Sequence, residues 1–177
     1  TQAVHAENGA IFAQLWHVGR VTHPDNIGGE QPISSSALKA ENVKVFVDNG
    51  SDEPGFVDVV QPRAMTKADI HQVLEDYRQA ALNAIEAGFD GIELHAANGY
   101  LINQFLSPLT NKRTDEYGGS SENRYRLLRR VLDEVNAVWS GPLFVRISAE
   151  DYADGGMSPE QYVEMTQWMK QQNVDLI

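Results

Sequence analysis

There is no cysteine among the 177 residues. That excludes a disulfide framework and any thiolate-bound metal cluster, and it fits a reducing compartment. No apolar run approaches the roughly 18 residues that a membrane-spanning helix needs. No signal-peptide pattern opens the chain, so a cytoplasmic location and no membrane partner are expected. Basic residues are scarce, with 14 Lys and Arg against 25 Asp and Glu for a net charge of −11. Such a surface repels a phosphate backbone, and nucleic acid is not an expected partner. No Gly-x-Gly-x-x-Gly follows any candidate strand, which weakens a dinucleotide-binding open sheet. His5, His23 and His71 lack metal-ligand spacing, so no metal site is expected.

What is present is a core and a rhythm. Hydrophobic residues make up 42% of the chain, enough for one globular core. Four short apolar runs read as buried strands, at Ala10 to Trp16, Gly91 to His95, Leu143 to Ile147, and Val174 to Ile177. From Thr66 to about Ala87, a stripe of Ile70, Val73, Leu74, Tyr77, Ala81, Ala84 and Ile85 recurs near every 3.6 residues, predicting a helix. Thr66 with Asp69 resembles a capping box, and Gly88 suits a left-handed stop. A second helix is expected from Ser121, with Leu128, Val131, Leu132, Val135 and Val138 on one face and Ser140-Gly141-Pro142 ending it. Ser158-Pro159-Glu160-Gln161 opens a third.

Strands alternating with helices are the grammar of a parallel sheet with crossover helices. Gly88-Phe89-Asp90 and Asn173-Val174-Asp175 each lead from a helix into a strand, a faint internal repeat. The favoured architecture is α/β, a (β/α)8 barrel, with an open doubly wound sheet as the competitor. A full barrel takes about 250 residues, so about three to four of the eight units are expected here. Both ends read as cut, since the chain starts at Thr1 rather than Met and stops as a strand begins. Residues 22–63 break the rhythm with Gly, Pro, Ser and Asp around a β-prone island at Val43 to Val47. They read as an inserted loop or lid over a partial barrel domain spanning 1–177, or as a surface loop with a small hairpin.

Active sites of such barrels lie where strands end. Here the strand ends carry large hydrogen-bonding side chains, in Gln14-Leu15-Trp16-His17, in His95-Ala96-Ala97-Asn98-Gly99-Tyr100, and at Arg146. Singly, each has a plain alternative. A strand-end histidine is often a packing residue, and Arg146 could pair with Glu93 across the barrel interior. Their coincidence on one rim points to a site without naming a reaction.

Three stretches carry a family likeness. Gln14 to Arg20 (QLWHVGR), His95 to Pro108 (HAANGYLINQFLSP) and Asn111 to Arg124 (NKRTDEYGGSSENR) resemble the Old Yellow Enzyme family of flavin-dependent ene-reductases, and the likeness covers essentially the whole chain. It implies an FMN-containing (β/α)8 barrel, of which this chain is about the third to fifth units and the start of the sixth strand. The FMN phosphate site would then lie outside these residues. The implied activity is NAD(P)H-dependent reduction of activated C=C bonds in small molecules such as α,β-unsaturated carbonyls and maleimides, with nitro compounds or nitrate esters as further acceptors.

By that resemblance Gln14 would bond the pyrimidine edge of the flavin, and Arg146 would sit where negative charge collects on reduction. His95 and Asn98 would donate to the substrate oxygen, Tyr100 would deliver a proton to the carbon α to it, and Trp16 would line the pocket. Two donors on an oxygen that gains negative charge form an oxyanion-type device. A relative of 2,4-dienoyl-CoA reductase or trimethylamine dehydrogenase and an inactive barrel fragment remain as alternatives. The Arg113 to Arg124 segment is expected to be structural, with Asp115 pairing Arg124. His17 and Arg20 are expected to support the neighbouring loop.

Overall fold

The computed structural model describes residues 1–48, 50 and 54–177. A short helix, α1 (Gln2–Ala6), precedes the first strand, β1 (Phe12–Leu15). Next comes a run of small elements. These are β2 (Ile33–Ser34), the antiparallel hairpin β3 (Lys44–Val47) and β4 (Gly55–Asp58), and β5 (Arg63–Ala64), which returns to pair in parallel with β2. Then follow α2 (Lys67–Glu86), β6 (Gly91–Ala96), α3 (Leu101–Leu106), α4 (Ser121–Asn136), β7 (Leu143–Ile147) and α5 (Pro159–Lys170). Strands β1, β6 and β7 form one parallel sheet in that order.

Each strand of this sheet has two working faces. Ile92, Leu94, Ala96, Leu143 and Val145 point outward into a core shared with Ile70, Val73, Leu74, Tyr77, Ala81 and Ala84 of α2 and with Leu128, Val131, Leu132 and Val135 of α4. Each fully buried Leu or Ile contributes about 1.5–3 kcal/mol, so this contiguous core fixes the sheet against its helices. The alternate residues face inward. Gly91 is required there, because a Cβ at that position would run into the Phe12 ring. That ring stacks on Phe144 with centroids 4.8 Å apart.

The helix boundaries follow the chemistry expected of them. Thr66 and Asp69 form a reciprocal capping box on α2. Ser158 N–H donates to Gln161 Oε1 at 3.0 Å at the start of α5. The repeat has a physical form as well. Gly88 and Asn173 are both left-handed, at φ +75° and +57°. The aspartate two residues after each clips the adjacent strand twice. Asp90 donates its N–H to Ile11 O and accepts from Ile11 N, at 2.9 and 2.7 Å. Asp175 treats Leu143 in the same way, at 2.8 and 2.9 Å.

Four expectations need correction. The first strand is shorter than Ala10 to Trp16, and Val174 to Ile177 contributes a single bridge, Phe144 to Leu176, rather than a full strand. Two helices, not one, separate β6 from β7, and all six residues of α3 are buried. Asp115 pairs with Arg113 at 2.5 Å, whereas Arg124 donates to the carbonyls of Leu106 and Gly119. Asp115 follows Arg113 by two residues in the same turn, while Arg124 is drawn down to cap the end of α3. Among the described residues no helix is long and apolar enough to cross a membrane.

Candidate active site

Register builds the site. Leu15 pairs with Leu94 and His95 with Arg146, so one step further along the sheet sets Trp16, His95 and Arg146 side by side in one inward-facing row. Gln14, Glu93 and Phe144 form the row beneath. The Trp16 ring lies over His95 at 5.7 Å with planes 19° apart. Tyr100 meets both edge-on, at 4.7 Å from Trp16 and 5.2 Å from His95. The fold thus brings Trp16, His95, Asn98 and Tyr100 into one cluster, with Arg146 beside it and Gln14 one row below.

His95 is buried, and its protonation is legible from its neighbours. The backbone N–H of Ala97 donates to its Nδ1 at 3.2 Å. With Nδ1 an acceptor, Nε2 carries the ring proton. Burial and then the positive charge of Arg146 hold the His95 pKa below the ordinary 6.5, with Glu93 opposing them. The ring is therefore a neutral Nε2–H donor near neutral pH. The amide nitrogen of Asn98 lies 3.5 Å from that same Nε2. Both groups are donors, so neither satisfies the other. An oxygen acceptor placed against them takes both bonds.

Asn98 reaches this position through an uncommon backbone. Asn98 and Gly99 are successive left-handed residues, at φ +58° and +75°. Asn98 N–H donates to Ser148 Oγ at 2.9 Å, which ties the turn to the end of β7. The N–H and C=O of Gly99 are both taken by side chains of α3, at Asn103 and Gln104.

The Arg146 side chain is exposed on the inner face, and its guanidinium has no hydrogen-bond or ion-pair partner among the described residues. Glu93, the alternative partner, accepts instead from Gln14. A cleft of about 510 Å³ opens beside Glu93, Phe144 and Arg146. An unspent guanidinium over an open, partly aromatic inner face suits the electron-rich edge of a flat ring.

His17 and Arg20 support the surrounding loops. His17 Nδ1 accepts from Gly19 N at 3.0 Å, and Arg20 Nη1 donates to Leu38 O at 2.7 Å. No group of three or more possible metal ligands occurs among the described residues. Ser148, Asn103 and Gln104 also hold the loop that carries Asn98, although none of them is among the rim residues expected from the sequence. Their signal was present, because two amides sit in the middle of the apolar run Leu101-Ile102-Asn103-Gln104-Phe105-Leu106, where only hydrogen-bonded polar groups are tolerated.

Comparison with known proteins gives the chain's family. The profile of the NADH:flavin oxidoreductase / NADH oxidase family matches residues 1–177. The chain is 58% identical over 175 residues to an NADPH dehydrogenase of Bacillus cytotoxicus, covering 98% of this chain and 44% of that protein. It is 46% identical over 176 residues to an NADPH dehydrogenase of Halalkalibacterium halodurans, covering 99% and 46%. The chain thus spans a little under half the length of these relatives. Among solved structures, morphinone reductase in complex with tetrahydroNAD superposes with a TM-score of 0.89 at 42% identity, over 98% of this chain and 49% of that one. The old yellow enzyme homologue from Zymomonas mobilis superposes with a TM-score of 0.86 at 39% identity, over 99% and 49%.

Proposed function

The chain belongs to the NADH:flavin oxidoreductase / NADH oxidase family, its strands and helices being βα units of that family's (β/α)8 barrel, and from this premise we propose that it supplies the substrate-anchoring and proton-donating part of an FMN-dependent ene-reductase. The substrates are small molecules bearing an activated C=C bond, α,β-unsaturated carbonyls and maleimides first, with nitro compounds and nitrate esters as further acceptors. NAD(P)H is the reductant. Location in the cytoplasm is part of the same proposal, and subcellular fractionation checks it.

The inner face fits the cofactor, because it offers the Arg146 guanidinium without a partner on β7 and the Gln14 amide one row lower on β1. These two residues would hold the pyrimidine edge. When bound, FMN supplies the two-electron chemistry that links NAD(P)H to the alkene. Arg146 contributes a fixed positive charge that favours electron density on the ring edge next to it. His95 and Asn98 bind the carbonyl or nitro oxygen and stabilise the negative charge it gains. Tyr100 holds a proton beside them for the α-carbon. Trp16 packs against both rings and shields that side from water.

The single observation that carries this reading is the pair of unspent donors, His95 Nε2 and Asn98 Nδ2, 3.5 Å apart next to Tyr100. A phenolate presents an anionic oxygen to such a pair while its ring can lie on the flavin, giving a long-wavelength charge-transfer band. The double change His95→Ala with Asn98→Ala in the full-length flavoprotein should abolish both that band and enone reduction. Loss of one such donor costs about 2.7–4 kcal/mol, and two donors acting on one atom need not add. Retention of the band at unchanged affinity would show that another pair anchors the oxygen.

A further inference from the structure

The turn that aims Asn98 is held by a clamp that the proposed chemistry does not itself require. Gly99 stands between the anchoring Asn98 and the proton-donating Tyr100. Its N–H donates to Asn103 Oδ1 at 2.7 Å, and its C=O accepts from Gln104 Nε2 at 2.7 Å. The two amides are consecutive residues of α3 and are buried to 6% and 0% exposure. Their side chains reach back from the first turns of the helix and take both backbone groups of one residue. A Cβ on Gly99 would meet nothing within 4 Å, so glycine serves the left-handed backbone there and not a lack of room.

The far ends of the two amides run to different parts of the molecule. Asn103 Nδ2 donates to Tyr162 OH at 3.2 Å, and that hydroxyl donates to Asp151 Oδ1 at 3.2 Å. Gln104 Oε1 accepts from Ser34 Oγ at 2.9 Å and from the backbone N–H of Arg20 at 3.2 Å. Gln104 also fills the space beside Gly19, where any Cβ would strike its amide. One turn is therefore wired to the β1 loop, to strand β2 of the 22–63 segment, and to the loop before α5.

We propose that Asn103 and Gln104 are positioning residues for the oxyanion-binding pair, fixing the left-handed Asn98–Gly99 turn so that the Asn98 amide converges with His95 Nε2 on one oxygen. The inference rests on the anchoring role given to His95 and Asn98 above. Neither amide touches substrate. Their effect is on aim, and displacements of about 1 Å at such a site can cost on the order of 100-fold. Buried polar groups also stabilise a fold, so the test must separate aim from stability.

Position 103 allows that separation in the full-length flavoprotein, with a para-substituted phenolate as the probe and its charge-transfer band as the readout. Asn103→Asp keeps an oxygen facing the Gly99 N–H but buries a carboxyl near Asp151, so it should melt lower. Asn103→Leu keeps the volume and removes the acceptor. The expected result is an inverted order. The Leu variant binds phenolate about tenfold or more weakly, and the Asp variant stays within about threefold of the unaltered protein despite its lower melting temperature. Gln104→Met should weaken phenolate like the Leu variant.

If the Leu variant does not fold, Ser148→Ala decides, because it removes the bond to Asn98 N–H from outside the core. It should weaken phenolate by about threefold or more with the melting temperature unchanged. Affinity that follows melting temperature, or wild-type affinity in the Leu, Met or Ser148 variants, overturns the proposal. The double variant His95→Ala with Asn98→Ala keeps the two failures apart. If it loses the band while Asn103→Leu binds normally, only the positioning role falls. If it keeps the band, the anchoring role falls and this inference with it.

Discussion

The loop from His95 to Tyr100 and the segment from Asn111 to Arg124 lie on either side of α3, and both are dense in polar side chains. They use them differently. In the second segment the buried and half-buried polar groups Asn111, Arg113, Asp115 and Arg124 are spent inside the protein. Asn111 bridges Phe105 O and Tyr117 O at 2.7 Å each. Arg113 donates to Met65 O at 2.7 Å and pairs with Asp115 at 2.5 Å. Arg124 ties the carbonyls of Leu106 and Gly119. In the first loop the backbone of Gly99 and the Asn98 N–H are held, but His95 Nε2 and Asn98 Nδ2 face each other as donors without an acceptor. A segment that consumes its own hydrogen bonds builds the fold, and one that leaves donors aimed at a common point is prepared for something else.

The largest expected effect comes from removing the hydroxyl proposed as proton donor in the loop. Tyr100→Phe in the full-length enzyme should slow alkene reduction by about 10²–10⁴-fold. Flavin reduction by NAD(P)H should remain nearly intact. Phenylalanine retains the ring that meets Trp16 and His95, so pocket shape survives and only the hydroxyl is lost. Stopped-flow measurement of the two half-reactions separates these outcomes. An equal fall in both would make Tyr100 a wall of the pocket and blur the contrast with Arg124.

Arg124→Met tests the other side. Two carbonyls that now accept from a guanidinium would be left without that donor, and hydrogen bonds to charged groups are worth about 1.5–3 kcal/mol each. The full-length protein should lose about 3 kcal/mol or more in denaturant unfolding. The folded fraction should keep its kcat and its phenolate affinity within about threefold. A variant that is stable but slow would mean that the segment takes part in the chemistry.

How much of this was legible beforehand differs between the same regions. The βα rhythm could be read because outward-facing strand residues are apolar and α2 and α4 carry a 3.6-residue stripe. Helix α3 could not, since six residues that are all buried show no amphipathic period, and Tyr100 at its N-cap makes no side-chain capping bond. The rim residues stood out because large polar groups are unusual at the ends of greasy strands. Their partners did not, because the bond between Gln14 and Glu93 spans 79 residues and exists only through the β1–β6 register. The pairing expected between Asp115 and Arg124 failed for the same reason. Charge complementarity names candidates, and the path of the backbone chooses among them.

The smallest expected effect is in pH, and it divides the two regions by window. Burial and Arg146 hold the His95 pKa below 6.5, whereas Arg113 beside Asp115 holds that carboxyl below its ordinary 3.8. In both cases the folded protein binds the proton less readily than the unfolded chain, so stability is lost as pH falls. The His95 contribution is complete above about 6.5 and declines as pH drops through its folded value. Asp115 follows the same sign in a separate window, complete above about 3.8 and lost as pH falls below that. Melting temperature against pH should therefore fall in two windows, with His95→Gln making the upper fall shallower, where His17 also contributes, and Asp115→Asn the lower, which Asp69 and Asp90 share. Within the upper window, Arg146→Gln in the full-length apoprotein should raise the His95 pKa towards 6.5, as read by histidine NMR titration. Burial persists in that variant, so the return should be partial. Because Arg146 is exposed, its share should also shrink in the unaltered protein at about 1 M salt, where the Debye length is near 3 Å. A His95 pKa indifferent to both salt and the Arg146 change would mean that burial alone keeps the ring neutral, and that Arg146 serves only the flavin side of the site.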